Sequence, residues 1–253
     1  MGGEQSTPVN QIPPSPEFAA PWRKMPWGNK HTLEEKLRNF ELCRSEIKSV
    51  RILVVGEVGA GKSSFINSVN NVFQERITSG ALAGTCGTSF TKVYKTHHIK
   101  GKNGSRLPFV FSDIMGLERA DGSKGAHVDD IISALKGCLA EGYKFNPVSP
   151  VSENDSTYKT NPKVSDQTFC LVNVIAANQV SLMDQKFIEK MIQIREKASE
   201  YNLPQVLIMT KVDETCPLVK RDLRKVYTSK KIEEKNYHKE VDTNDDMDVL
   251  ILK

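Results

Sequence analysis

One glycine-rich stretch has the residue types and the spacing of a phosphate-binding loop. Residues 56–63 read Gly-Glu-Val-Gly-Ala-Gly-Lys-Ser, a complete G-x-x-x-x-G-K-[ST] pattern. A β-branched run precedes it and a predicted helix follows it, which is the context that this motif requires. Glycines let successive amides turn toward phosphate oxygens, while Lys62 neutralises the β- and γ-phosphates. The predicted phosphate-binding residues are Glu57, Val58, Gly59, Ala60, Gly61, Lys62, Ser63, Ser64 and Gly116.

Two further segments are suited to holding Mg²⁺ and sensing a γ-phosphate. The apolar run 109–112 ends in Asp113-Ile114-Met115-Gly116. An acid in that position can hold Mg²⁺ through water, beside the hydroxyl of Ser63, and a glycine lets its amide approach the γ-phosphate. Between the two motifs, residues 84–91 are rich in hydroxyl groups. We predict Thr88 as a third Mg²⁺ contact, with Thr85, Ser89 and Thr91 as open alternatives.

A third motif indicates which base is bound. The apolar run 206–209 leads into Thr210-Lys211-Val212-Asp213. The carboxylate of Asp213 could accept two hydrogen bonds from N1–H and N2–H₂ of guanine, a donor pair that adenine lacks. The stem of Lys211 can lie along the base. We therefore predict GTP or GDP with Mg²⁺ as cofactors, and base contacts from Thr210, Lys211 and Asp213. An ordinary polar strand end, or an ATPase or kinase on the same loop, is the alternative.

The elements that must position these residues alternate between strands and helices. Strands are predicted at 50–55, 92–99, 107–112, 168–177 and 205–209, with a hairpin turn at Asn103-Gly104. Helices are predicted at 32–48, from about 62, and at 128–138, 182–201 and 218–235. This alternation predicts an α/β fold of the P-loop NTPase class: a mostly parallel sheet with helices on both faces. The polar stretch 141–167 is predicted to be a surface insertion.

The two ends of the chain differ from this core. Residues 1–30 hold half of the twelve prolines and are predicted to form a disordered leader, with residues 31–253 as the P-loop GTPase-like domain. The opening Met1-Gly2-Gly3-Glu4-Gln5-Ser6 fits the N-myristoylation pattern, which would give Gly2 a reversible membrane contact. An ordinary flexible terminus is the alternative.

Composition excludes several other classes. A net charge of +4, from 35 basic and 31 acidic residues, predicts no nucleic-acid binding, and no nucleic-acid motif is present. The five cysteines are far apart and lack C-x-x-C spacing, so we predict reduced thiols and a cytoplasmic location, with no disulfide framework or zinc site. No apolar run reaches the length of a transmembrane segment.

The three motifs together resemble the septin and AIG-like branch of GTPases. The chain is more specifically similar to the interferon-induced protein 44 and 44-like family, over about residues 45–253. Supporting segments are 59–69, 107–109, 113–117, 128–131, 236–237 and 246–252. The resemblance implies a cytoplasmic protein, induced in innate immune and antiviral responses, that binds GTP.

Several positions depart from an active GTPase. Leu117 stands where a water-orienting Gln is expected, and the branched side chain of Val58 would crowd the γ-phosphate. We therefore predict weak hydrolysis or none, unless a second copy bound across the nucleotide supplies missing groups. The charged helix runs directly to Asn236, and residues 246–252 look like a final helix, so the last strand is expected to be missing and the domain shortened. A non-enzymatic immune scaffold on a degenerate GTPase fold is the alternative function.

Overall fold

A six-stranded, mostly parallel sheet forms the centre of the molecule. The computed structural model describes residues 15–25, 27–81, 91–119, 125–236 and 248–251. The strands are β1 (Val50–Gly56), β2 (Lys95–Lys100), β3 (Arg106–Asp113), β4 (Cys170–Ala176), β5 (Gln205–Thr210) and β6 (Asp248–Ile251). Their order across the sheet is β2-β3-β1-β4-β5-β6. Only the β2–β3 pair among these is antiparallel, and it is the predicted hairpin.

Helices pack on both faces of this sheet, as predicted for an α/β fold. They are α1 (Lys30–Arg38), α2 (Lys62–Gln74), α3 (Val128–Lys136), α4 (Gln185–Glu200), α5 (Val212–Thr215), α6 (Pro217–Arg221) and α7 (Lys230–Asn236). Val54, Val172 and Ile208 point toward α2, whereas their strand neighbours Leu53 and Leu171 point toward α3 and α4. This alternation follows from the two-residue period of a strand buried on both faces.

The strand order reverses at β1, which places a crevice at its carboxyl end. The chain leaves β1 toward β3 on one side, and later returns to β4 on the other. In doubly wound sheets, ligands bind at such a reversal point, outside the carboxyl ends of the strands. The glycine-rich loop 56–61 therefore lies where the topology favours a ligand.

The expectation of a missing last strand is wrong. Residues Asp248–Ile251 form β6, parallel to β5, with Leu207 opposite Val249 and Ile208 opposite Leu250. A short apolar run fits a strand or a helix equally well from its periodicity. The edge of β5 offers unpaired backbone groups, and pairing with them favours the strand.

Two predicted helices are also shorter than expected. The first begins at Lys30 rather than at the Thr32 capping box, and it ends at Arg38 rather than near residue 48. Beyond it, the ring of Phe40 packs against Phe109 at 5.3 Å. The segment predicted as one helix at 218–235 is divided into α6, a 3₁₀ turn (Leu223–Tyr227) and α7. The Asp222 side chain accepts a hydrogen bond from the Arg224 amide, which starts the turn and ends α6.

The segment 141–167 contributes to the core as well as to the surface. Tyr143 and Phe145 are buried in the same apolar cluster as α3 and α4. The buried carboxylate of Asp130 on α3 accepts hydrogen bonds from the Tyr143 hydroxyl and the Val151 amide. Burial raises the pKa of Asp130. The segment is therefore docked on the domain, which its polar composition did not predict.

Residues preceding α1 pack on the face of the sheet that lies opposite α2. Glu17 forms an ion pair with Lys225 at 2.7 Å, and Trp22 contacts Tyr227 edge to face at 5.0 Å. The first fourteen residues, including Gly2, lie outside the described residues. Within the described ranges, no helix combines the length and apolar character that a bilayer crossing requires.

Candidate nucleotide-binding site

The loop between β1 and α2 has a backbone that requires glycine. A Cβ on Gly56 would lie 2.1 Å from the carbonyl oxygen of Val174 on the neighbouring strand. Gly61 has φ +96°, in the left-handed region, and it is the N-cap of α2. The loop therefore passes close to β4 and then turns sharply into the helix.

Thr210, at the end of β5, fastens this loop to the sheet. Its hydroxyl lies 2.6 Å from the carbonyl oxygen of Ala60 and 3.1 Å from that of Ile175. Its side chain is also the nearest group to Gly61. The sequence predicted Thr210 as a base contact. In the structure its hydroxyl bonds to the loop, which gives this residue a positioning role.

Lys62 is a buried cation held above its own loop. Only 7% of its surface is exposed, and its ammonium donates hydrogen bonds to the carbonyls of Gly56 at 3.1 Å and Glu57 at 3.0 Å. Burial lowers the pKa of Lys62 from 10.5 to about 8, although the charges of Asp113 and Glu57 raise it in part. Because burial disfavours its charge, an anion bound beside it would be stabilising.

The amino end of α2 leaves several amides outside the helical pattern. The first helical hydrogen bond runs from the Phe65 amide to the Gly61 carbonyl. The amides of Lys62, Ser63 and Ser64 come before it and therefore have no acceptor within the helix. The amides of Val58 and Ala60 instead donate to the carbonyls of Leu117 and Glu57. The first turn of α2 is therefore the part of the loop best suited to receive phosphate oxygens.

Two of the three predicted Mg²⁺ contacts lie together. The Ser63 hydroxyl donates to Oδ2 of Asp113 at 2.9 Å. Oδ1 of Asp113 is buried and has no hydrogen-bond partner among the described residues. A hydroxyl beside an ionisable carboxylate with a spare oxygen fits a hard divalent cation. Thr88, Thr85 and Ser89 lie outside the described residues. Thr91, another of the alternatives, reaches Asp113 Oδ2 at 3.3 Å.

Gly116 packs directly under the phosphate loop. A Cβ at this position would lie 2.7 Å from the amide nitrogen of Val58 and 2.8 Å from its Cγ2. The next residue, Leu117, donates its amide to Gly56 and accepts from the Val58 amide, so the loop and the end of β3 are joined by a short parallel bridge. Glycine is therefore required here by the approach of Val58.

Arg119 contacts the loop, although nothing in the local sequence indicated this. Its guanidinium forms an ion pair with Glu57, and its Nη2 donates a hydrogen bond to Oε2 at 2.8 Å. It also donates to Oε1 of Gln179 at 2.9 Å and to the carbonyl of Leu182 at 3.0 Å. The partners are 60 or more residues away along the chain, so no spacing pattern could have revealed them.

A cavity of about 320 Å³ opens beside the loop at the end of β5. Lys211, which has φ +54°, and Asp213 line one side of it, together with Thr210 and Glu214. Residues of α2 line the other side: Gly61, Ser64, Phe65 and Ser68. The structure therefore brings the predicted base-binding residues next to the predicted phosphate-binding residues, around one space.

The fold and the loop together define an α/β domain of the P-loop class. No family model matches the chain. Over 195 residues, 77% of the chain, it is 36% identical to interferon-induced protein 44-like and 35% identical to interferon-induced protein 44, both from Homo sapiens. Over 204 residues it is 30% identical to interferon-induced protein 44 from Mus musculus. Over these residues the chain is a homologue of the interferon-induced 44 and 44-like proteins.

These comparisons cover only part of each relative. The chain spans 43% of the human 44-like protein, 44% of the human 44 protein and 48% of the mouse protein. A crystal structure of a variant of the protein SsGBP aligns with 88% of the chain and 55% of its own, at 15% identity and a TM-score of 0.34.

Proposed function

We propose that this chain is a guanine-nucleotide-binding domain that holds GTP or GDP with Mg²⁺ and acts in an interferon-induced immune response in the cytoplasm. The immune part rests on relatives that are named as interferon-induced proteins. The nucleotide part rests on the geometry of the loop. One observation carries it: the buried Lys62 ammonium lies at the start of α2, where first-turn amides and the helix dipole also favour an anion.

In this proposal, different residues of the chain bind the phosphates, the Mg²⁺ ion and the base. Lys62 and the first turn of α2 bind phosphate oxygens, while Thr210 fixes the loop by its bond to Ala60. Ser63 and Asp113 would hold Mg²⁺, which supplies positive charge beside the phosphates when bound. Lys211 and Asp213 line the neighbouring cavity, where the carboxylate accepts from guanine and the lysine stem covers the ring.

Weak hydrolysis, or none, accords with the position of Leu117. This side chain is fully buried in the core cluster beneath α3 and α4. An apolar buried residue cannot orient a water molecule, and Leu117 stands where a Gln would do so. A second copy of the chain across the nucleotide is one source of the missing group. The same observation favours the alternative of a non-enzymatic scaffold, in which bound nucleotide is structural.

Mass spectrometry of the nucleotide released from purified protein tests the proposal. We expect GDP or GTP from the unsubstituted chain, and none from Lys62→Ala. The matched control is Lys220→Ala, which removes an exposed lysine on α6 and should keep the nucleotide. Release of adenine nucleotides alone would contradict the guanine assignment. If Lys62→Ala loses nucleotide but keeps every cellular effect, the scaffold function is favoured over a switch.

A further inference from the structure

The Glu57–Arg119 pair links the phosphate loop to two other parts of the molecule. Glu57 is 14% exposed and Arg119 is 21% exposed in their side chains, so water screens the pair only in part. Arg119 lies three residues after Gly116, and its remaining donors reach Gln179 and the carbonyl of Leu182 in the turn after β4. The guanidinium is thus held in place from two sides while it contacts the loop.

Without Arg119, the charge of Glu57 would oppose phosphate binding. Glu57 is the second residue of the loop, and its own carbonyl oxygen accepts a hydrogen bond from Lys62. The negative charge of Glu57 reaches that ammonium, since it raises the pKa of Lys62 against the effect of burial. Phosphate oxygens bound at Lys62 would therefore lie within range of the Glu57 carboxylate, which would repel them.

We propose that Arg119 is a positioning residue for nucleotide binding, which neutralises and holds Glu57 so that the loop accepts a polyphosphate. This inference rests on the proposed nucleotide-binding function. It assigns Arg119 no contact with the phosphates: its effect passes through Glu57. Arg119 could also contact the phosphates directly, or it could only stabilise the fold. These two roles and the proposed one predict different effects when Glu57 is substituted in the Arg119 variant.

Titration with GDP and with GTP, both with Mg²⁺, separates these roles. Arg119→Ala should weaken both affinities about tenfold, because an unpaired carboxylate remains beside the phosphates. The double variant Arg119→Ala with Glu57→Gln should recover most of that loss, because it also removes the carboxylate that Arg119 neutralises. The defect of Arg119→Ala should also shrink as salt rises from 50 to 500 mM, since ions screen the repulsion.

A remote ion pair provides the matched control. Lys225→Ala breaks the pair with Glu17 on the far side of the sheet, and it should leave both affinities unchanged. Unchanged affinity in Arg119→Ala, or a loss that Glu57→Gln does not recover, would overturn the inference while the nucleotide-binding function stands. Failure of the unsubstituted chain to bind either nucleotide would overturn both.

Discussion

At the scale of single residues, Lys62 has a protonation state that limits binding. Its pKa of about 8 in the free protein means that the ammonium loses its proton within an accessible pH range. Bound phosphates favour the charged form and raise that pKa again. We expect nucleotide affinity to be full below pH 8 and to fall by up to tenfold per pH unit above it. Calorimetric titration between pH 6.5 and 9.5 measures this, and proton uptake should accompany binding near pH 8.

A variant with a permanent charge is the control for this titration. Lys62→Arg keeps a positive charge at every pH in the range, because guanidinium does not lose its proton there. Any affinity that it retains should therefore lack the decline above pH 8. An unsubstituted protein whose affinity stays constant up to pH 9.5 would contradict a lowered Lys62 pKa in the free protein.

Thr210 gives a second residue-scale prediction. Thr210→Val keeps the shape of the side chain but leaves the carbonyls of Ala60 and Ile175 without their donor. The free energy of unfolding should fall by about 1–3 kcal/mol. Affinity for GDP and GTP should fall together, since the loop loses its anchor. Urea unfolding and nucleotide titration measure the two effects. Thr210→Ser, which keeps the hydroxyl, should restore both, and unchanged affinity in Thr210→Val would contradict the anchoring role.

At the scale of elements, the segment before α1 stabilises the 3₁₀ turn that follows α6. Trp22 is half-buried, donates its amide to the Tyr227 carbonyl at 2.9 Å and packs on the ring of Tyr227. Trp22→Ala should lower the free energy of unfolding by about 2 kcal/mol, through the loss of this packing. Trp27, which is 54% exposed, is the comparison, and Trp27→Ala should cost less than about 1 kcal/mol. Equal losses in thermal unfolding would contradict this difference.

Sequence patterns predicted the central strands well because those strands are buried on both faces. The runs at β1, β4 and β5 are rich in β-branched residues, and their observed bounds differ from the predicted ones by two residues or fewer. Sequence patterns predicted the wrong element where contacts with distant parts of the chain determine the local structure. Residues 218–235 have a helical composition, but Asp222 caps a new turn and Tyr227 is drawn into the core. Residues 248–251 form a strand because β5 offers them an edge.

The sequence predicted the motifs of the candidate site, but it did not predict the contacts that hold the phosphate-binding loop in place. Ser63 and Asp113 could be paired from their motifs, because the Ser63 loop follows β1 and Asp113 ends β3, and these parallel strands end at the same edge of the sheet. The Arg119–Glu57 pair and the bond from Thr210 to the loop join residues that are 62 and 150 positions apart. Such contacts depend on strand order, which local spacing does not specify.

At the scale of the whole molecule, the sheet order brings three distant segments to one crevice. The loop follows β1, Asp113 ends β3 and the Lys211–Asp213 segment follows β5. Since these strands run in the same direction, their carboxyl ends lie at one edge of the sheet. Phosphate, metal and base contacts can therefore act on one ligand, which makes selectivity between nucleotides the property to measure.

The most direct test is a calorimetric titration of the purified chain with GTP, GDP and ATP in the presence of Mg²⁺. Our account predicts saturable binding of GTP and GDP, at least tenfold weaker binding of ATP, and loss of that preference in Asp213→Ala, because the carboxylate pairs with guanine and not with adenine. Equal affinity for ATP and GTP would contradict the guanine assignment. A folded protein that binds none of the three at millimolar concentration would contradict the account as a whole.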